Sequence, residues 1–193
     1  MASTSVEQSL LFELRSPTTP LENKQQSIIT ALATNASPSL ATLIRDWILD
    51  TQLRSLKSNT SAQAELLSSA SWWLLLARVV SDAPAGSASS APQTLPIVSH
   101  WVGTYAAQVE AQTDVVRSVT VVWTKLGAVG MRKATADGAL DGYGALLKAT
   151  AAVVKRGGDD LGDWEDLVLI WLRTLRLVVD PAKAGKKVSK LPY

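Results

Sequence analysis

The chain has no cysteine, one histidine, one phenylalanine and two methionines among its 193 residues. Without cysteine there is no disulfide framework, no zinc–thiolate site and no cysteine nucleophile, and the composition suits a reducing compartment. The lone histidine, His100, stands beside Trp101. A metal site needs several convergent ligands, so His100 reads as structural or exposed. No G-x-S-x-G elbow accompanies it, which argues against a Ser-His-Asp hydrolase. Long apolar runs are scarce too. In the strongly hydrophobic stretch SASWWLLLARVV (69–80) the uninterrupted run is Trp72–Ala77, closed by Arg78, whereas a membrane span needs about 20 apolar residues. The opening MASTSVEQSL lacks a basic segment followed by an apolar core, so neither a signal peptide nor a mitochondrial presequence is expected.

Alanine, leucine and seven tryptophans are abundant, and 47% of the residues are hydrophobic. Alanine and leucine favour helix by intrinsic propensity. The formal net charge of +2 is unevenly spread. Four of the 19 basic residues (Lys183, Lys186, Lys187 and Lys190) follow Asp180 with no acid among them, leaving 15 basic against 17 acidic residues in the remainder. A lysine cluster of this kind attracts phosphate, so these four lysines are the candidates for RNA or phosphate contact. A nuclear-import signal or a solvated linker has the same composition.

Helix punctuation recurs along the chain. Val6, Leu10, Leu11 and Leu14 fall on one helical face over residues 5–15. Thr19-Pro20-Leu21-Glu22 predicts a cap at Thr19, proline in the first turn and a capping box closed by Glu22. Ser37-Pro38 repeats the device, and Leu40, Leu43, Ile44, Trp47 and Ile48 follow at amphipathic spacing. A single helix is expected over 61–80, with Leu66, Leu67, Ala70, Trp73, Leu74 and Ala77 on one face. Trp72, Leu75 and Leu76 widen that face, so the helix must be covered by neighbours on two sides. Residues 81–93, rich in alanine, serine and proline, read as a flexible loop. Helix resumes from about Leu95 to Gln112. Over 114–132, Val115, Val119, Val122 and Leu126 keep helical spacing although the valine content would suit a strand. A helix beginning among the glycines of DGALDGYG (137–144) is stopped by Gly157-Gly158. Asp163 is placed to cap the last one, with acids in its first turn and Arg173 and Arg176 towards its end.

The remaining motifs carry little chemistry. DGALDGYG has no G-K-[ST] ending, no preceding strand and no calcium-loop pattern, and its glycines read as close-packing positions. GGDDLGDWED (157–166) gathers five acids, as capping and the helix dipole favour. Trp47, Trp73, Trp123 and Trp171 sit on apolar helical faces and read as core. The expected architecture is all-α: stacked helix pairs, a HEAT-like α-solenoid or an irregular bundle of about eight helices. It occupies residues 1–180 as one domain, with the loop at 81–93 and a basic tail at 181–193. No catalytic residue, metal ligand or cofactor is expected.

LLFELRSPTTPLENKQQSI (10–28), LIRDWILDTQL (43–53) and SASWWLLLARVV (69–80) carry a resemblance, covering roughly residues 8–80. Their order resembles the opening of the nucleolar pre-ribosome-associated family known as unhealthy ribosome biogenesis protein two. The matching positions are Leu14, Thr18, Thr19, Glu22, Lys24, Leu43, Asp46, Trp47, Trp73 and Leu76. The resemblance implies the N-terminal segment of a longer helical-repeat protein that acts as a non-catalytic scaffold in early large ribosomal subunit assembly and pre-rRNA processing. It also implies a nuclear, nucleolar location. The implied partners are other assembly factors, among them a second large helical scaffold and a DEAD-box RNA helicase, with pre-rRNA contact alongside and no membrane. Two other readings are weighed against it: an α-solenoid adaptor of another nuclear or cytoplasmic complex, and a small helical enzyme with an acidic site near Asp159–Asp166.

Overall fold

The computed structural model describes residues 2–35, 37–58, 61–83, 93–104, 113–136, 141–156 and 161–179. Among them are nine helices and no strand: α1 (Ala2–Arg15), α2 (Leu21–Thr34), α3 (Pro38–Ser58), α4 (Ser61–Ser68), α5 (Ala70–Asp82), α6 (Thr94–Thr104), α7 (Thr113–Ala136), α8 (Asp141–Arg156) and α9 (Leu161–Val179). The protein is all-α. Its helices stack in two layers. One row runs α3, α5, α7, α9, each packed on the next, and α4, α6 and α8 form a second row over it. α1 lies on α2, and α2 leads onto α3.

The start of α3 follows from its sequence. Ser37 Oγ accepts the Leu40 N–H at 3.2 Å while the Ser37 carbonyl takes the Ala41 N–H, and Pro38 occupies the first turn, where its missing donor costs nothing. Leu40, Ile44 and Ile48 are then fully buried, with Leu43 and Trp47 half-buried beside them. α7 is a helix despite its valines because both sides of it are covered, by α5 and α9. Burial of Val115, Val119, Val122 and Leu126 outweighs the modest propensity cost. Its hydroxyls are satisfied locally, with Ser118, Thr120 and Thr124 donating to the carbonyls one turn back at 2.7–2.8 Å.

Several expectations need correction. The stretch 61–80 is two helices, which raises the count from about eight to nine. α4 stops at Ser68, and Ser69 stands between them in extended conformation, its carbonyl taking the Trp72 and Trp73 N–H groups. The break frees the Leu67 carbonyl, and the Trp73 indole N–H donates to it at 3.0 Å. α5 therefore buries Trp72, Trp73, Leu75, Leu76, Val79 and Val80, while Leu74 is exposed and Ala77 half-buried. Its predicted covering on two sides is realised by α3 and α7. Pro20 is the N-cap of α2, not its first helical residue. Its ψ of 151° is extended, its carbonyl accepts the Lys24 N–H at 3.1 Å, and no side chain caps the helix, so the Thr19–Glu22 box does not form. Asp163 lies within the first turn of α9 and not at its cap, where it reaches Arg117 of α7 at 3.4 Å. Gly144 of DGALDGYG faces open space, so close packing is not its role.

Six tryptophans are buried, and together with the half-buried Trp47 they link one helix to another. Trp47 of α3 meets Trp72 of α5 at 6.0 Å, and the adjacent Trp73 meets Trp101 of α6 at 5.6 Å. Trp101 stacks on Trp164 of α9 at 6.0 Å and 9°, and Trp123 of α7 meets Trp171 of α9 edge-on at 6.1 Å. Such ring pairs add about 0.5–1.5 kcal/mol to the area they bury.

Tyr143 fastens α8 to α9. Its phenol is buried and donates to the Trp171 carbonyl at 2.6 Å. Burial pushes its pKa up to about 12 from 10. The folded protein therefore holds this proton more tightly than the unfolded chain. The stabilisation is complete below pH 10 and is lost as pH rises towards 12. Tyr143→Phe should cost about 1 kcal/mol at neutral pH. The alkaline limb of its stability profile should also be flatter than the wild type's in urea titrations from pH 8 to 11.5. Parallel profiles would show that this phenol is not the group responsible.

Candidate binding cleft

A cleft of about 890 Å³ lies between the end of α1, the 16–20 turn, the start of α2 and the middle of α3. Two prolines stiffen the turn, and Ser16 Oγ pairs with Thr18 Oγ1 at 3.0 Å. Across the turn, Lys24 Nζ donates to the Ser16 carbonyl at 2.7 Å and sits 5.8 Å from the Trp47 ring centroid, a cation–π distance. Lys24 is only 8% exposed. Desolvation lowers its ammonium pKa, with Glu13 nearby opposing the shift. Glu13 also accepts the Ser27 hydroxyl at 2.6 Å, and Glu7 accepts the Ser39 hydroxyl at 2.6 Å, which holds α1 to α2 and to the head of α3.

The floor is apolar: Leu11, Leu14, Leu21, Leu43 and Trp47. Three cations, Arg15, Lys24 and Arg54, share the lining with Asp46 and Asp50. Both carboxylates already have partners. Asp46 Oδ1 takes Nη2 of the almost fully buried Arg45 at 2.8 Å and its Nε at 2.9 Å, while Asp50 Oδ1 takes the Gln93 amide at 2.5 Å. A second recess of about 540 Å³ shares Leu11, Arg15, Ser16 and Pro17 with the cleft. It adds Phe12, which is 83% exposed.

Of the ten positions that carry the family resemblance, seven line this one cleft: Leu14, Thr18, Thr19, Lys24, Leu43, Asp46 and Trp47. No family model, curated protein or solved structure matches the chain. The cleft thus stands on its own chemistry: an apolar floor, flanking cations and preformed hydrogen bonds.

The other sequence-derived candidates fare differently. Lys183, Lys186, Lys187 and Lys190 lie outside the described residues, as do Asp159, Asp160 and residues 84–92 and 105–112. Asp163, the half-buried member of the acidic segment, is paired with Arg117, and among the described residues no group of three His, Asp or Glu side chains could hold a metal ion. His100 is exposed on α6, with partial desolvation lowering its imidazole pKa. Trp73, Trp123 and Trp171 are fully buried, as core residues should be, whereas Trp47 is half-buried and lines the cleft. Arg15, Lys24 and Arg54 were not singled out by composition or motif as a binding set. One signal was available for Lys24, which occupies the i+3 position between Leu21 and Ile28 on the buried face of α2.

Proposed function

We propose that this protein is a non-catalytic helical scaffold of early large ribosomal subunit assembly and pre-rRNA processing, working in the nucleolus and binding other assembly factors through its open helical surfaces. The observation that carries the scaffold role is the placing of two apolar surfaces at the two ends of the helix row. One is the cleft against α3. The other lies on α9, where Leu169, Leu172 and Val179 are exposed along the helix, away from the buried Trp164, Leu167 and Trp171. A stacked array normally finishes on a polar outer face, and the exposed apolar residues of α9 depart from that pattern. The pathway is supported by the resemblance over residues 8–80, seven of whose ten positions meet in one cleft. By the same resemblance, the partners are a second large helical scaffold and a DEAD-box helicase, and pre-rRNA is contacted alongside, with the lysines of the tail as candidates.

Affinity purification of the tagged protein from its own cells, followed by mass spectrometry, tests this. Large-subunit assembly factors should dominate the recovered proteins. Recovery of the components of an unrelated complex in their place would favour an adaptor of another pathway.

A further inference from the structure

We infer that the cleft between α1, the 16–20 turn and α3 receives an extended segment of a partner protein in which an acidic residue stands next to a large apolar one. The inference rests on the scaffold role and names the chemistry of what is held. About 890 Å³ accommodates several side chains, within the range of built ligand sites. The floor of Leu11, Leu14, Leu21, Leu43 and Trp47 suits an aromatic or leucine anchor, and the exposed Phe12 extends that apolar surface along α1.

Charge selects the anchor's neighbour. Arg15, Lys24 and Arg54 converge on the lining, and the charge of Asp46 is compensated by Arg45. Lys24 is the most telling of the three. Its ammonium has three donors, of which one is spent on Ser16, and it is held in a largely desolvated position over Trp47. An incoming carboxylate would accept from the remaining donors and offset the cost of that desolvation. A nucleic-acid strand fits less well, because the floor is mostly aliphatic and Trp47 is the one aromatic ring in the lining on which a base could stack. A peptide can turn its own N–H groups towards Asp46 and Asp50.

The test is selection of a phage-displayed random dodecapeptide library on the full chain, followed by titration of the enriched peptides. Sequences with Asp or Glu adjacent to Phe, Trp or Leu should be enriched. Their affinity should fall at least tenfold in the double variant Arg15→Glu/Arg54→Glu. Both arginines are exposed, so the variant should keep the wild-type melting temperature, and Lys24→Met should weaken binding as well. Enrichment of basic or uncharged sequences, no consensus at all, or undiminished binding by the double variant would overturn the inference. So would a 12-nucleotide oligouridylate that binds more tightly than the peptides and depends on the same two arginines. The two proposals fail separately. Assembly factors recovered from cells without any acidic–apolar consensus would sink only the cleft assignment, and the consensus without those factors would sink only the pathway.

Discussion

Trp101→Ala should lower the free energy of unfolding by about 3–5 kcal/mol, the range for truncating a fully buried large aromatic. Trp101 lies between Trp73 of α5 and Trp164 of α9, at 5.6 and 6.0 Å. Truncation therefore opens a cavity where both rows of helices meet. Against a typical stability of about 5–15 kcal/mol, that loss is a large fraction of the whole. Trp101→Phe should cost much less, because it keeps an aromatic ring between the two neighbours. It also removes the buried Nε1–H of Trp101, which has no hydrogen-bond partner among the described residues. Urea unfolding followed by far-ultraviolet circular dichroism gives both values. A loss below about 1 kcal/mol for the alanine variant would mean that the tryptophan ladder is not part of a packed core.

Gly127→Ala should destabilise the protein by about 2 kcal/mol, although alanine is the better helix former by about 1 kcal/mol. A Cβ at residue 127 would stand 2.7 Å from Cδ2 and Cε2 of Trp123, one turn earlier in α7. That indole cannot retreat easily, since it is fully buried and set edge-on against Trp171 of α9. Gly144→Ala is the matching control. It sits in α8 with nothing within 4 Å of the added carbon, so helix propensity acts alone and stability should rise by about 0.5–1 kcal/mol. Opposite signs for the same substitution, read as shifts in thermal midpoint, would establish that Gly127 makes room for a ring. A gain at both positions would contradict the α7–α9 packing.

These two glycines show where sequence reading reaches its limit. DGALDGYG draws attention as a motif, yet a Cβ at Gly144 would meet nothing, whereas Gly127 is isolated in a valine-rich run and is required by a ring four residues away. Local signals were dependable where one helix decides the outcome. Ser37-Pro38 caps α3 as written, and the spacing of Leu40, Ile44 and Ile48 places that helix's buried face correctly. The Ser68-Ser69 break was hidden because serine interrupts a helix only weakly. It is stabilised by a tertiary bond, the Trp73 indole on the Leu67 carbonyl, that no periodicity displays. The cleft was hidden for the same reason. Arg15, Lys24 and Arg54 come from three helices, and a lysine is buried there only because the turn supplies the Ser16 carbonyl and α3 supplies the face of Trp47.

The proposed scaffold role is tested most directly by the RNA that travels with the protein. After affinity purification from its own cells, large-subunit precursor rRNA should be enriched at least tenfold over mature small-subunit rRNA, and that enrichment should fall in the destabilised Trp101→Ala variant. Equal recovery of precursor and mature RNA would contradict it.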